Sequence, residues 1–155
     1  MIRFLFAVLP RWILGSVMLA GIGINIANVV SRYLFGRSIF WAEEILVYLV
    51  IWGVFIGMAA AAYRGAHLNM DLFSSQFRGR WKLGLNAFVA LVFIGCCLFA
   101  AVQSWQVVAL FARAGQISIA SGVPKAVPHA ALLAGFVLTA LAVAIRLRSY
   151  ISGKF

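Results

Sequence analysis

Four long stretches of this 155-residue chain contain no charged side chain: Trp12 to Ser31, Ile45 to Tyr63, Leu83 to Ala112 and Ala126 to Ile145. About 20 residues at 1.5 Å each cross the hydrocarbon of a bilayer as an α-helix. The first, second and fourth stretches fit one crossing apiece. The third, 30 residues long, would extend ~45 Å as a helix and must tilt or project beyond the lipid. None of the four alternates apolar and polar residues as a barrel strand does. Backbone amides have no water to bond in hydrocarbon, so helices are the remaining way to satisfy them. The pattern therefore predicts an all-α, polytopic membrane protein. Its transmembrane helices should cover about residues 12–34, 43–63, 83–112 and 126–147, all within a single domain.

Polar positions are few, and their spacing is informative. Asn25, Asn28 and Arg32 recur at three- and four-residue intervals, so one face of the first helix grows more polar toward its C-terminal end. Amides in lipid need protein neighbours, and this stripe predicts helix-to-helix contact, within the chain or with a partner. Gln103 and Gln106 share a face of the third helix in the same way. Glu43 and Glu44 open the second helix, where free N–H groups favour negative charge. Arg32 and Arg37 lie just before them, so an Arg–carboxylate pair tying helix 1 to helix 2 is expected. Tyr48 stands one turn from Glu44 and within reach of a neighbouring polar group. Gly53 and Gly57 form a GxxxG pair that permits close helix approach.

Between the second and third helices, Phe73, Phe77 and Trp81 recur every four residues with Arg78 and Arg80 interleaved. That spacing predicts an interfacial helix over about 68–81, apolar toward acyl chains and basic toward headgroups. The segment before Pro10 has a similar composition. Arg3 and Arg11 followed by an apolar run imitate a signal peptide, but no small-x-small cleavage site follows, so a retained first helix is expected.

Composition agrees with lipid as the solvent. Hydrophobic residues make up 65% of the chain and charged residues 10%, against about 45–50% and 25% in soluble domains. A soluble chain this short could not bury that excess. The formal charge of +10, from 13 Lys and Arg against 3 Asp and Glu, is scattered singly and does not form a phosphate-tracking groove, which argues against nucleic acid. Nine of the basic residues fall at the N-terminus, the second connection and the tail, and four fall in the other two connections. Positively charged loops stay cytoplasmic, so both termini should face the cytoplasm of a bacterial inner membrane.

Catalytic and cofactor chemistry find little support in the residues. Cys96 and Cys97 are adjacent, point about 100° apart on a helix and have no CxxC or His partner, so they read as packing residues. His67 and His129 would lie on opposite sides of the membrane, too far apart for one haem. Asp71 is one turn from His67, but no nucleophile completes a triad, so no enzyme activity is expected. No cofactor is expected either. A stand-alone four-helix carrier or exporter would need an ionisable group at membrane depth facing a cavity. An anchor subunit of a redox complex would need a bound cofactor.

Three segments carry a family resemblance: NVVSRYLFGRSIFWAEEILVYLVIW (Asn28 to Trp52), RGAHLNMDLF (Arg64 to Phe73) and SGVPKAVP (Ser121 to Pro128). In these features the chain resembles the small membrane subunit of tripartite ATP-independent periplasmic (TRAP) transporters, the DctQ-like family. The resemblance implies four transmembrane helices and no catalytic or substrate site. It implies a large multi-spanning partner subunit that carries the substrate and sodium sites, and a periplasmic receptor that delivers an organic acid such as a C4-dicarboxylate or sialic acid. Uptake would run on an ion gradient, with this chain bracing the scaffold. Trp41, Glu43, Glu44, His67 and Asp71 then become structural or interface candidates.

Overall fold

A computed structural model describes residues 8–65 and 80–152. Its described residues form α1 (Leu9–Phe35), α2 (Ala42–Tyr63), α3 (Arg80–Arg113), α4 (Ala126–Ile145) and the short α5 (Leu147–Ser152). The first four are each long and apolar enough to cross a membrane. The protein is an all-α polytopic membrane protein. His67 and Asp71 lie outside the described residues, as does the expected interfacial segment over 68–81 apart from Arg80 and Trp81, which begin α3.

Local chemistry explains where the helices begin and end. Pro10 sits in the first turn of α1, where its missing N–H costs no hydrogen bond. α1 stops at Gly36, whose φ of +66° reverses the chain at a conformation glycine adopts without strain. Glu43 and Glu44 occupy the first turn of α2. Pro128 falls in the first turn of α4, again among amides that have no partner within the helix. The fourth helix ends at Ile145 rather than at 147, because the chain breaks at Arg146 and continues as α5.

α4 packs against both α2 and α3, α1 packs against α2, and α5 folds back onto α3. α4 is therefore the central helix and α1 an outlying one. Most of the residues that bury are small: Ala59, Ala60 and Ala62 on α2, Ala90, Cys97 and Ala101 on α3, and Ala131, Ala140 and Ala142 on α4. Without water to drive association, close backbone approach and dispersion hold membrane helices together, and small side chains permit both. Cys97 belongs to this set, whereas its neighbour Cys96 is exposed.

One close approach dominates. A Cβ placed on Gly135 of α4 would come within 2.5 Å of Phe55 on α2. The Phe55 ring also meets Phe136 edge-on, with centroids 5.4 Å apart. Gly135 lies in a buried stripe of Ala131, Gly135, Thr139 and Val143, spaced every four residues along one face of α4. Ala131, Gly135 and Thr139 make this a small-xxx-small pattern, the spacing that lets helices approach closely.

At one end of the molecule, Ala62, Tyr63, Ala90, Ala142, Val143 and Tyr150 form a buried cluster joining α2, α3, α4 and α5. The Tyr150 hydroxyl donates a hydrogen bond to the carbonyl of Ala62. Arg146 lies over the Tyr63 ring, 4.5 Å from its centroid, and the Asn86 amide donates to the carbonyl of Ile151 at 3.3 Å. α5 thus clamps the ends of the helices that precede it.

Candidate functional site

The opposite end is organised around one carboxylate. Glu44 stands in the first turn of α2, and Tyr48, one turn further along the same face, donates its hydroxyl to Glu44 Oε1. Oε2 accepts the Ser118 hydroxyl and the backbone N–H of Ser121, the latter at 3.1 Å. Ser118 and Ser121 belong to the connection between α3 and α4, more than 70 residues along the chain from Glu44.

That connection is a small closed hairpin. The N–H of Lys125 donates to the carbonyl of Gln116, the N–H of Ser118 to Val123, and the N–H of Gly122 to Ser118. Ile117 and Pro124 form a β-bridge. The hydroxyl of Ser118 also accepts the N–H of Ala120 at 3.2 Å, and that of Ser121 accepts the N–H of Val123 at 3.3 Å. Short polar side chains that bond nearby backbone are what hold such turns. Glu44 then fastens the hairpin to the end of α2.

The expected Arg–carboxylate pair is not how the structure joins α1 to α2. Among the described residues, neither Arg32 nor Arg37 forms an ion pair with Glu43 or Glu44. Neutral hydrogen bonds close the connection instead: the Asn28 side-chain oxygen accepts the N–H of Ile39 at 2.8 Å, and the Ser31 hydroxyl donates to the carbonyl of Arg37 at 2.7 Å. The physical reason is local. A connection this short places its own backbone within reach of the last two turns of α1, and Glu44 takes its bonds from Tyr48 and the hairpin. Arg32, Arg37, Glu43 and Trp41 are exposed.

The other sequence candidates are distributed among different surfaces. Asn25 lines a groove of about 730 Å³ between α1 and α2, otherwise formed by apolar side chains and by Gly21 and Gly53. Gly53 and Gly57 receive α1: a Cβ at either would lie 3.6–3.7 Å from Leu14, an ordinary contact. Gln103 and Gln106 are both exposed on α3. His129 stacks on Phe111, with centroids 4.8 Å apart and planes 14° from parallel. Among the described residues, no three of His, Cys, Asp and Glu are grouped so as to hold a metal ion.

Ser118, Ser121 and Gly135 were not singled out from sequence. Ser121 opens the SGVPKAVP segment on which the resemblance partly rests, but nothing in a one-dimensional pattern links it to Glu44.

Four lipid-length helices, with a carboxylate at the start of the second that fastens the connection between the third and fourth, define a multi-pass membrane protein. Residues 21–153 match the family described as "Tripartite ATP-independent periplasmic transporters, DctQ component". The chain belongs to that family, whose members are transporter subunits and not enzymes. It is 35% identical to the C4-dicarboxylate TRAP transporter small permease protein DctQ of Vibrio cholerae over 75 residues, 48% of this chain and 31% of that protein. It is 27% identical over 88 residues to the sialic acid TRAP transporter permease protein SiaT of Haemophilus influenzae, covering 57% of this chain and 14% of SiaT. A second Haemophilus influenzae protein, assigned as a TRAP transporter small permease, is 27% identical over 115 residues, 74% of this chain and 70% of that protein. The chain thus aligns with about a third of the length of the Vibrio relative and about a seventh of SiaT.

Proposed function

We propose that this chain is the scaffolding subunit of a TRAP transporter, holding a larger membrane subunit in place while that subunit carries an organic acid across the bacterial inner membrane. The observation that supports the reading best is the placement of amides. Asn25, Gln103 and Gln106 are exposed on membrane-length helices, and amides facing hydrocarbon are costly unless another protein surface covers them. The similarity to a small part of SiaT adds support, because there a segment like this one lies within a much longer permease.

The substrate class is an organic acid of the C4-dicarboxylate or sialic-acid type, delivered by a periplasmic receptor and driven by an ion gradient, with sodium bound on the large subunit. Asn25, Asn28, Arg32, Trp41, Gln103 and Gln106 are interface candidates on this chain. Glu44, Tyr48, Gly53 and Gly57 hold its own fold in the shape the partner meets. Both termini face the cytoplasm, which places the Glu44 hairpin at the periplasmic surface. A moving subunit needs a neighbour fixed in depth to work against, and tilted helices with aromatic and basic edges supply one.

Affinity purification of the tagged chain from its native membrane should recover a large multi-spanning protein in fixed stoichiometry. Deleting the chain should abolish organic-acid uptake, and uptake that persists with the large subunit intact would overturn the scaffold reading. A C-terminal alkaline phosphatase fusion should be inactive, and an active one would reverse the orientation.

A further inference from the structure

We propose that the hairpin between α3 and α4 is a preformed lipid anchor, which seats Ile117 and Ile119 among the headgroups and outer acyl carbons of the leaflet at that end of the protein.

The first observation is an alternation. Ile117 is 62% exposed, Ser118 8% and Ile119 102%. Ser118 turns inward to Glu44 and its two neighbours turn outward, as on a strand. The hairpin is fixed by its internal backbone bonds and by a carboxylate from another helix. Its order presents two large apolar side chains outward, and a fully exposed isoleucine in water forgoes the stabilisation that burial would give it.

The second observation is depth. α4 has 20 residues, so it spans ~30 Å, about the thickness of the hydrocarbon. Lys125, at its N-cap, therefore stands at headgroup level. Pro124 is next to it, and Ile117 pairs with Pro124 across the bridge. The tip is not free to rise into water, because Ser118 and Ser121 are bonded to the first turn of α2. The hairpin consequently lies back across the helix ends. Stacking of Phe111 on His129, one turn into α4, shows that α3 also reaches this level.

The third observation is what surrounds it. Phe40 and Trp41 are exposed at the start of α2, in keeping with an interfacial aromatic belt. Arg37 and Lys125 in the same two connections, and Arg113 at the end of α3, are exposed and suit lipid phosphates. Apolar tips between aromatic and cationic side chains at this depth match the chemistry of a lipid interface. The inference requires only that the helices span a membrane, and it stands apart from the scaffold role.

The test places an environment-sensitive NBD fluorophore at Ile119→Cys in a Cys96→Ala, Cys97→Ala background, using the full chain with any co-purified partner in liposomes. The expected result is blue-shifted emission, quenched more strongly by lipids spin-labelled near the headgroup than by aqueous iodide. Quenching chiefly by iodide would show a water-facing hairpin and overturn the proposal. Protection from both quenchers would show a protein partner covering the site and overturn it equally. Adding Glu44→Ala should red-shift the emission as the tip loses its fastening, and an unchanged spectrum would refute the bracing. Where the double alanine background does not fold, Ile119→Cys is read in the native cysteine background after subtracting the signal of the unsubstituted protein.

Discussion

α4 and α1 are both long and apolar enough to cross a membrane, yet the fold uses them in opposite ways. In the most apolar stretch of α4, 39% of residues are buried within the chain, and in that of α1 none are. α4 presents small residues every fourth position and takes a helix on each side. α1 carries exposed Met18, Leu19, Ile22 and Ile26 and touches α2 along one edge. Hydrophobicity cannot separate them, because lipid is as apolar as a protein interior. Side-chain size and polar placement do: α4 is shaped for its own chain, and α1 for something outside it.

Glycines give the largest expected contrast. Gly135→Leu should destabilise the chain by at least ~1–3 kcal/mol, because a side chain there must displace Phe55 or push α2 off α4. A Cβ at Gly23 in α1 meets no atom within 4 Å, so Gly23→Leu should leave the isolated chain within about 0.5 kcal/mol of the parent. Denaturant titration in mixed micelles, followed by tryptophan fluorescence, measures both. Equal losses would erase the distinction between the two helices.

A smaller effect belongs to the strap that follows α4. Tyr150→Phe removes the hydrogen bond to Ala62 and leaves that carbonyl with one partner fewer, at a cost of about 0.5–1.5 kcal/mol. Burial pushes the Tyr150 hydroxyl pKa up. Its contribution is therefore complete below the ordinary tyrosine value of about 10 and is lost only as pH climbs through the raised one. The same titration run at neutral pH should show the deficit undiminished down to mildly acid pH.

Thr139, on the buried stripe of α4, should respond in the other direction. It is fully buried, and its hydroxyl has no hydrogen-bond partner among the described residues. Thr139→Val keeps the shape and removes the unpaired group, so stability should stay level or rise by up to about 1 kcal/mol. A clear loss would mean that the hydroxyl is bonded in the membrane.

The number and placement of the spanning helices were legible because a bilayer imposes a length and forbids charge, and both constraints are written in consecutive residues. Pairing was less legible. Gly53 and Gly57 were visible as a contact motif, and α1 fills it through Leu14 and Val17. The tighter contact at Gly135 was hidden in an equally regular stripe whose partner, Phe55, is not itself small. The sequence marks Glu44 as a tether but points to the nearest arginines as its partners. Charge attracts at a distance, yet the fold brought Ser118 and Ser121 to it from another connection and left Arg32 and Arg37 exposed. Pattern reading finds residues with something to satisfy; which groups satisfy them depends on long-range topology.

The smallest effect on the chain itself should come from Asn25→Leu, and it bears most directly on α1. The amide lines the groove against α2 and is exposed, so its loss should leave unfolding of the isolated chain within about 0.5 kcal/mol of the parent. If a partner covers this groove, the amide is bonded across the interface, and interhelical bonds of this kind contribute about 0.6–2 kcal/mol in membranes. Recovery of the complex in a competition pull-down should then fall about threefold or more, since 0.6 kcal/mol is roughly a factor of three at room temperature. Undiminished recovery would mean that α1 turns this face to lipid. The outlying helix would then need another surface to explain why so much of it is left uncovered.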